Sequence, residues 1–183
     1  MNEAGGEESL ALLSEDTVKL DVYINSVIPD AANLLYASAP HHLIPAKNAS
    51  GSINSSGIVS IPSDFLRFHS LKLSSWKRGT AQVHAMDSEE YKRMHYATTT
   101  AGENKPRCVF EGASQIKCFP PSGALDYFYY VAKCNDVDEA LGMPSSLAPS
   151  LPYMCAALVY DIFEMGAQSD RMKSLAIELV SKS

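Results

Sequence analysis

Residues 57–78, GIVSIPSDFLRFHSLKLSSWKR, constrain the fold more than any other stretch of the sequence. A short β-branched run ends at Pro62, which cannot donate a hydrogen bond to a sheet, and the Ser-Asp pair after it is typical of a turn. From Phe65 to Trp76, apolar and polar residues then alternate. Such alternation predicts a half-buried strand of an antiparallel sheet, on which a core is built.

Three later runs of the sequence predict further strands. Residues 107–111, 115–119 and 125–132 are short and rich in aromatic or β-branched side chains, and turn-forming segments separate them. Runs divided in this way predict a β-meander. The last run is aromatic on both faces, which predicts that both faces are covered.

Helical periodicity is found towards both ends of the sequence. A first helix is predicted to begin near Ser14 and to kink or split near Pro29, because proline removes a backbone donor. A short helix is predicted over residues 88–96, after a Ser or Asp cap. The last part of the chain predicts a helix over residues 151–166, which Gly166 ends, and a final helix after it.

The order of these elements predicts an α+β fold. Helices from both chain ends are expected to pack together, with a central antiparallel β-meander and one short helix between them. The length of 183 residues fits one domain. We divide the chain into a flexible N-terminal extension at residues 1–14, an α+β connector domain at residues 15–166, and a C-terminal helix at residues 167–183 as a docking element.

Composition argues against several classes of protein. The chain is 46% hydrophobic and 20% charged, as folded proteins are, and its net charge of −6 argues against a surface that grips phosphates. No apolar run approaches the roughly 20 residues of a membrane span. The acidic N-terminus lacks the basic start of a signal peptide. The four cysteines contain no C-x-x-C pair, which favours buried thiols over a metal site.

No catalytic or cofactor-binding constellation is visible in the sequence. It contains no P-loop, dinucleotide-binding or nucleophile-elbow motif. The His41-His42 pair has no carboxylate or cysteine near it in sequence, and His84 and His95 lack the H-E-x-x-H spacing of a zinc site. We interpret these histidines as solvated surface, predict no cofactor, and do not expect an enzyme.

Several short motifs follow one another in an order that resembles one protein family. They are, in sequence, Ile61-Pro62-Ser63-Asp64-Phe65-Leu66-Arg67, Ser88-Glu89-Glu90-Tyr91, Pro106, Ile116-Lys117-Cys118-Phe119-Pro120-Pro121 and Leu125-Asp126-Tyr127-Phe128-Tyr129-Tyr130. A Pro- and Leu-rich linker and an Ala-rich helix come after them.

With these motifs, over residues 15–166, the chain resembles the head–tail connector or adaptor proteins of short-tailed, podovirus-like bacteriophages, with crAss-like phages among the candidates. Tail tubular protein A belongs to this group. The residues that carry the family fingerprint are Ile61, Pro62, Asp64, Phe65, Leu66, Arg67, Tyr91 and Pro120.

The resemblance implies a structural protein of the virion, made in the host cytoplasm and built into the head–tail neck. Such proteins form homo-oligomeric rings, usually dodecamers, that bind the portal protein and a downstream tail or second ring protein. DNA passes through the ring without sequence-specific binding, and no membrane is involved. The candidate portal-docking residues are Met172, Leu175, Leu179 and Val180. The candidate contacts to the next ring, on the polar loop of residues 40–57, are His41, His42, Asn48 and Asn54.

A binding module without catalysis is the alternative function. The aromatic strand at residues 127–130 and the polar loop at residues 40–57 could hold a carbohydrate or a peptide. An exposed cluster of Tyr127, Tyr129 and Trp76 would favour this alternative, and burial of the three would argue against it.

Overall fold

The computed structural model describes residues 4–51, 53–94, 96 and 100–182, with side chains described from residue 20 onward. The chain divides into two compact units. We call Met1–Ile44 together with Cys134–Ser183 the helical unit, and Pro45–Lys133 the sheet unit. The predicted α+β class is confirmed. The predicted domain boundaries at residues 14 and 166 do not coincide with this division and stay a prediction.

The elements are numbered in chain order. The helices are α1 (Ala4–Ser38), α2 (Glu89–Arg93), α3 (Val137–Leu141), α4 (Leu151–Ile162) and α5 (Gly166–Ser181). The strands are β1 (Lys47–Asn48), β2 (Ile58–Ser60), β3 (Phe65–Leu73), β4 (Val83–His84), β5 (Arg107–Phe110), β6 (Gln115–Phe119) and β7 (Leu125–Ala132). Across the described residues, no helix combines the length and the apolar character needed to cross a membrane.

Helix α1 is longer than the sequence predicted, and it is continuous. It begins at Ala4 rather than near Ser14, and it continues through Pro29, so the predicted start and the predicted split are wrong. Residues 7–13 are largely Glu, Leu and Ala, which are strong helix formers and extend the helix towards the N-terminus. The proline removes one backbone hydrogen bond, but burial of the residues that flank it, such as Val27 and Leu35, favours the intact helix.

The helical unit brings together helices from both ends of the chain, as predicted. α1 packs against α3 and α4, and α4 packs against α5. Asn33 fixes α1 to the start of the C-terminal part, because its Nδ2 donates to the Cys134 carbonyl at 3.0 Å and its Oδ1 accepts from the Cys134 backbone N–H at 2.8 Å. Both hydrogen-bonding groups of one backbone residue are thus satisfied by one side chain.

The turn between α4 and α5 is a Schellman motif with glutamate in the position that usually holds glycine. The Met165 N–H donates to the Tyr160 carbonyl at 2.9 Å, and the Glu164 N–H donates to the Asp161 carbonyl at 3.1 Å. Glu164 has a φ of 58°, in the left-handed region. α4 therefore ends at Ile162, and Gly166, predicted to end that helix, instead opens α5.

The sheet unit contains two sheets, with the strand orders β1-β7-β3 and β2-β6-β5-β4. β5 and β6 form an antiparallel hairpin, as predicted, but β7 joins β3 and β1 in the other sheet. The predicted three-stranded meander is therefore wrong in its last strand. The Pro- and Gly-containing segment between β6 and β7 is long enough to carry the chain from one sheet to the other. β4 pairs with β5 in parallel.

One core connects the two sheets of this unit. Its buried members come from both sheets: Val59, Phe68, Leu71, Leu73, Trp76, Cys108, Ile116, Cys118, Phe128 and Tyr130. Phe68 and Leu71 are three residues apart, a spacing that would place them on opposite faces of a regular strand. A register shift between Phe68 and Ser70 moves both of them into the core.

Candidate interaction surface

Asp64, one of the residues that carry the predicted connector fingerprint, links two strands of one sheet. Its carboxylate accepts a hydrogen bond from the Tyr130 hydroxyl on β7 at 2.8 Å and lies 3.4 Å from the Lys47 ammonium on β1. Its carbonyl accepts from the Lys133 backbone N–H at 2.7 Å. The residue therefore fixes the start of β3 against the end of β7.

The surroundings of Asp64 and Tyr130 shift the pKa values of both side chains. Burial raises the pKa of Asp64, but hydrogen bonds from Tyr130 and Lys47 outweigh that effect, so the pKa lies below its ordinary value. Burial, together with the hydrogen bond to Asp64, raises the pKa of Tyr130 to about 12. Asp64 is therefore ionised and Tyr130 protonated at neutral pH, as a structural link requires.

The other fingerprint residues also build the sheet unit. The Phe65 ring stacks on Tyr130, with 6.1 Å between ring centroids, and Pro120 accepts a hydrogen bond from the Trp76 indole at 3.0 Å through its carbonyl. The Tyr91 N–H donates to Ser88, the cap of α2, as predicted for that helix. Ile61, Pro62, Leu66 and Arg67 are half-buried. The fingerprint thus describes the scaffold of this unit.

A cleft of about 700 Å³ in the sheet unit brings Leu66 and Arg67 near His84 and Glu90. His84 is half-buried and Glu90 is exposed. His95, the second histidine of the candidate pair with His84, lies outside the described residues. The described residues contain no group of three or more His, Cys, Asp or Glu that could hold a metal ion.

The aromatic strand does not form the exposed three-residue cluster that a binding platform would need. The rings of Tyr127 and Tyr129 lie 5.2 Å apart, and Tyr129 is exposed while Tyr127 is half-buried. Trp76 is only 2% exposed and belongs to the core. Within the described residues of the sheet unit, Tyr129 is covered only in part, so coverage of both faces of β7 stays a prediction.

The predicted portal-docking residues on α5 lie on the side of the helix that faces its own unit. Val180 is 4% exposed, and Met172, Leu175 and Leu179 are half-buried. The sequence pattern correctly identified the apolar stripe, but this stripe already has α4 as a neighbour. Docking to a portal through these residues stays a prediction, and it requires either their partly exposed edges or a movement of α5.

The predicted contacts to a next ring are distributed over both units. His41 and His42 form a short 3-10 turn after α1, with His42 exposed. Asn48 and Asn54 use their side-chain oxygens inside the sheet unit: Asn48 accepts from the Phe128 N–H at 3.2 Å, and Asn54 accepts from the N–H groups of Ser56 and Ile58. These two residues shape the loop, and their role as contacts stays a prediction.

An apolar groove with a volume of about 630 Å³ lies in the surface of the helical unit. α1, α3, α4 and the turn after α4 form its walls, with Leu20, Ile24, Leu141, Cys155, Phe163 and Met165 among the lining residues. Leu141 is 62% exposed and Phe163 is 51% exposed. Tyr23 packs edge-on against Phe163, with 5.4 Å between ring centroids. Burial raises the pKa of the Cys155 thiol, so the thiol stays uncharged.

The groove is not apparent in the sequence, because residues 135–152 are acidic and contain several prolines, a composition typical of a linker. That segment contains α3, capped by Asp136, whose carboxylate accepts from the Glu139 N–H at 2.8 Å. Glu139 in turn accepts from the Asn135 N–H at 2.8 Å. The Asp-x-x-Glu spacing is that of a capping box, and it would have predicted the helix that presents Leu141.

The four cysteines are free and buried, as predicted. Cys108 and Cys118 are register partners on β5 and β6, and their sulfur atoms lie 3.9 Å apart. The hydrogen bond to Cys118, together with burial, raises the pKa of the Cys108 thiol well above its usual value. These thiols are part of the core between the sheets.

No model of a known protein family matches the chain. A search of curated proteins returns no match either.

Proposed function

We propose that this protein is a structural component of a phage virion, forming a ring in the neck that joins the capsid portal to the tail and extends the DNA channel. Its partners are further copies of the same chain, the portal protein, and a downstream tail or second ring protein. The protein has no catalytic role and needs no cofactor.

The uncovered apolar groove of the helical unit is the observation that carries this proposal. Stable monomers rarely leave a large, contiguous apolar surface in water, and such surfaces mark places where a partner binds. Leu141 and Phe163 are more than half exposed in the isolated chain. A subunit that is completed by its neighbours explains this exposure.

The nature of the fingerprint residues agrees with a scaffold. Asp64, Phe65, Tyr91 and Pro120 all act through packing or through hydrogen bonds inside the sheet unit. A motif of this kind preserves a fold and performs no chemistry. The connector resemblance rests on the order of the several motifs that contain these residues.

The net charge of the chain is compatible with a protein that DNA passes without sticking, but it does not distinguish this role from others. A net charge of −6 repels phosphates on average. A ring around a moving duplex needs a surface without strong attraction to it, because bound phosphates would slow transfer.

The alternative of a carbohydrate- or peptide-binding module has one observation in its favour, the exposed ring of Tyr129 beside Tyr127. Burial of Trp76 removes the third aromatic residue that this alternative needed. Two neighbouring tyrosines form a much smaller platform, so the ring-forming role is the better supported of the two.

Negative-stain imaging of the recombinant chain, alone and mixed with the portal protein of the same phage, tests the proposal. Rings, or portals that carry an additional layer of density, are the expected result. Monomers that leave the portal unchanged would contradict it, and glycan-array screening would then test the binding-module alternative.

A further inference from the structure

The charges of the chain are divided unequally between its two units. The helical unit has four Lys and Arg against fourteen Asp and Glu, which gives a net charge of −10. The sheet unit has eleven Lys and Arg against seven Asp and Glu, which gives +4. The modest net charge of −6 therefore conceals an acidic unit and a basic unit of opposite sign.

Acidic residues are close in sequence to two residues that line the apolar groove of the helical unit. Asp21 follows Leu20 in α1, and Asp138 lies three residues before Leu141, on the same side of α3. Both carboxylates are exposed, and neither forms a salt bridge in the part of the chain that the structure describes. An apolar floor with an acidic rim favours a partner that offers positive charge around its contact surface.

Two turns of the sheet unit offer such charge. A hydrogen bond of 3.0 Å from the Lys77 N–H to the Glu103 carbonyl joins the turn after β3 to a second turn at residues 102–105. Lys77, Arg78 and Lys105 are exposed on these turns. Within the described residues, none of the three forms a salt bridge. We call this group the basic turns.

We propose that the apolar groove of the helical unit binds the sheet unit of a second copy of this chain, with the basic turns of that copy against the acidic rim. The inference rests on the proposed ring-forming function and identifies the contact that closes the ring. A contact between two helical units would bring together two units that each have a net charge of −10, and like-charge repulsion disfavours such a contact. The contact is therefore heterologous, the type that generates rings.

Matched variants test each side of the contact. Leu141→Asp places a charge in the groove, and Ile177→Asp is its control, since Ile177 is 49% exposed on α5 in the same unit and does not line the groove. On the sheet unit, Lys77→Glu with Arg78→Glu alters the basic turns. Lys92→Glu with Arg93→Glu makes the same change in charge at a second Lys-Arg pair of the sheet unit, on α2, where it also removes the salt bridge of 2.8 Å from Lys92 to Glu89.

Sedimentation velocity of the full chain measures the effect. The wild type is expected to self-associate by about 100 μM, where contacts with micromolar dissociation constants are occupied, and to dissociate as salt is raised. Each test variant should weaken association at least about tenfold, while each control stays within about twofold of wild type. Circular dichroism confirms that every variant is folded.

Mixing the two test variants gives the sharpest result. Each alone is expected to be monomeric, but one retains the groove and the other retains the basic turns, so an equimolar mixture should form 1:1 pairs and nothing larger. A mixture that stays monomeric, or a control that weakens association as much as its test variant, would overturn the inference. So would a wild type that stays monomeric at every concentration.

These outcomes are distinguishable from failure of the proposed function. If the wild type forms rings and the groove and basic-turn variants form them equally well, the ring function stands and this contact is wrong. If the wild type neither associates nor binds a portal, the ring function itself fails.

Discussion

Replacing Tyr130 by Phe tests the link between the Asp64 turn and β7. The Tyr130 hydroxyl donates to Asp64 at 2.8 Å, and its ring packs against Phe65 and Phe128, contacts that Phe retains. A hydrogen bond to a charged group contributes about 1.5–3 kcal/mol to stability. Because Asp64 is partly exposed and keeps Lys47 and water as partners, we expect the free energy of unfolding to fall by about 1–2 kcal/mol.

Urea unfolding measures this loss, with Trp76 fluorescence as the signal, since the single tryptophan of the chain lies in the core of the sheet unit. Tyr129→Phe is the control, because it removes the same hydroxyl from the next residue on β7, where the side chain is exposed. We expect the control to stay within about 0.5 kcal/mol of wild type. Equal losses in the two variants would refute the reasoning.

The difference in unfolding free energy between wild type and Tyr130→Phe is expected to decrease at low pH. The pKa of Asp64 is depressed in the folded protein, so its ionised form contributes stability above the unfolded pKa, and this contribution is lost as the pH falls through the folded pKa. The difference between wild type and Tyr130→Phe should be full at neutral pH and shrink below about pH 4. If the difference in stability between the two proteins is unchanged at low pH, the Tyr130 hydroxyl does not depend on an ionised Asp64 as its acceptor, and the reasoning is wrong.

Three further predictions concern stability and thiol chemistry. Glu164→Gly should raise the free energy of unfolding by about 1 kcal/mol, because glycine adopts the left-handed conformation without the penalty of a side chain; a lower urea midpoint would contradict the Schellman assignment. Asn33→Ala should lower it by about 2 kcal/mol, since both backbone groups of Cys134 lose their partner, and an unchanged urea midpoint would show that the two hydrogen bonds contribute nothing. A thiol reagent such as dithionitrobenzoate should react with all four cysteines in denaturant and only slowly without it; rapid labelling of the native chain would contradict their burial.

Local patterns predicted most of the secondary structure because they report local physics. The break at Pro62, the alternation that follows Phe65, the Ser88 cap and the burial of the cysteines all follow from single residues and their immediate neighbours. The sheet assignment of β7 could not be predicted in this way. It depends on which strand partners are available after the segment at residues 120–124, a long-range choice that turn chemistry does not encode.

The candidate surface was the least predictable part. The stripe on α5 was recognised correctly, but a stripe cannot say whether its own chain or a partner covers it, and here α4 lies beside it. The groove could not be recognised because no apolar stripe marks it in the sequence. Leu141 is one apolar residue in a segment of acids and prolines. The charge division between the units was visible in the sequence only once the fold showed which residues belong together.

The central claim is that copies of this chain form a ring on the portal protein. The number of chains bound to each portal tests this claim most directly. Native mass spectrometry of the purified portal protein, before and after addition of the 19.9 kDa chain, counts the copies bound. The ring hypothesis predicts a single increase in mass that corresponds to about twelve chains, with no stable species carrying only one or two. A portal whose mass does not change, or that gains scattered single copies without closing a ring, would contradict it.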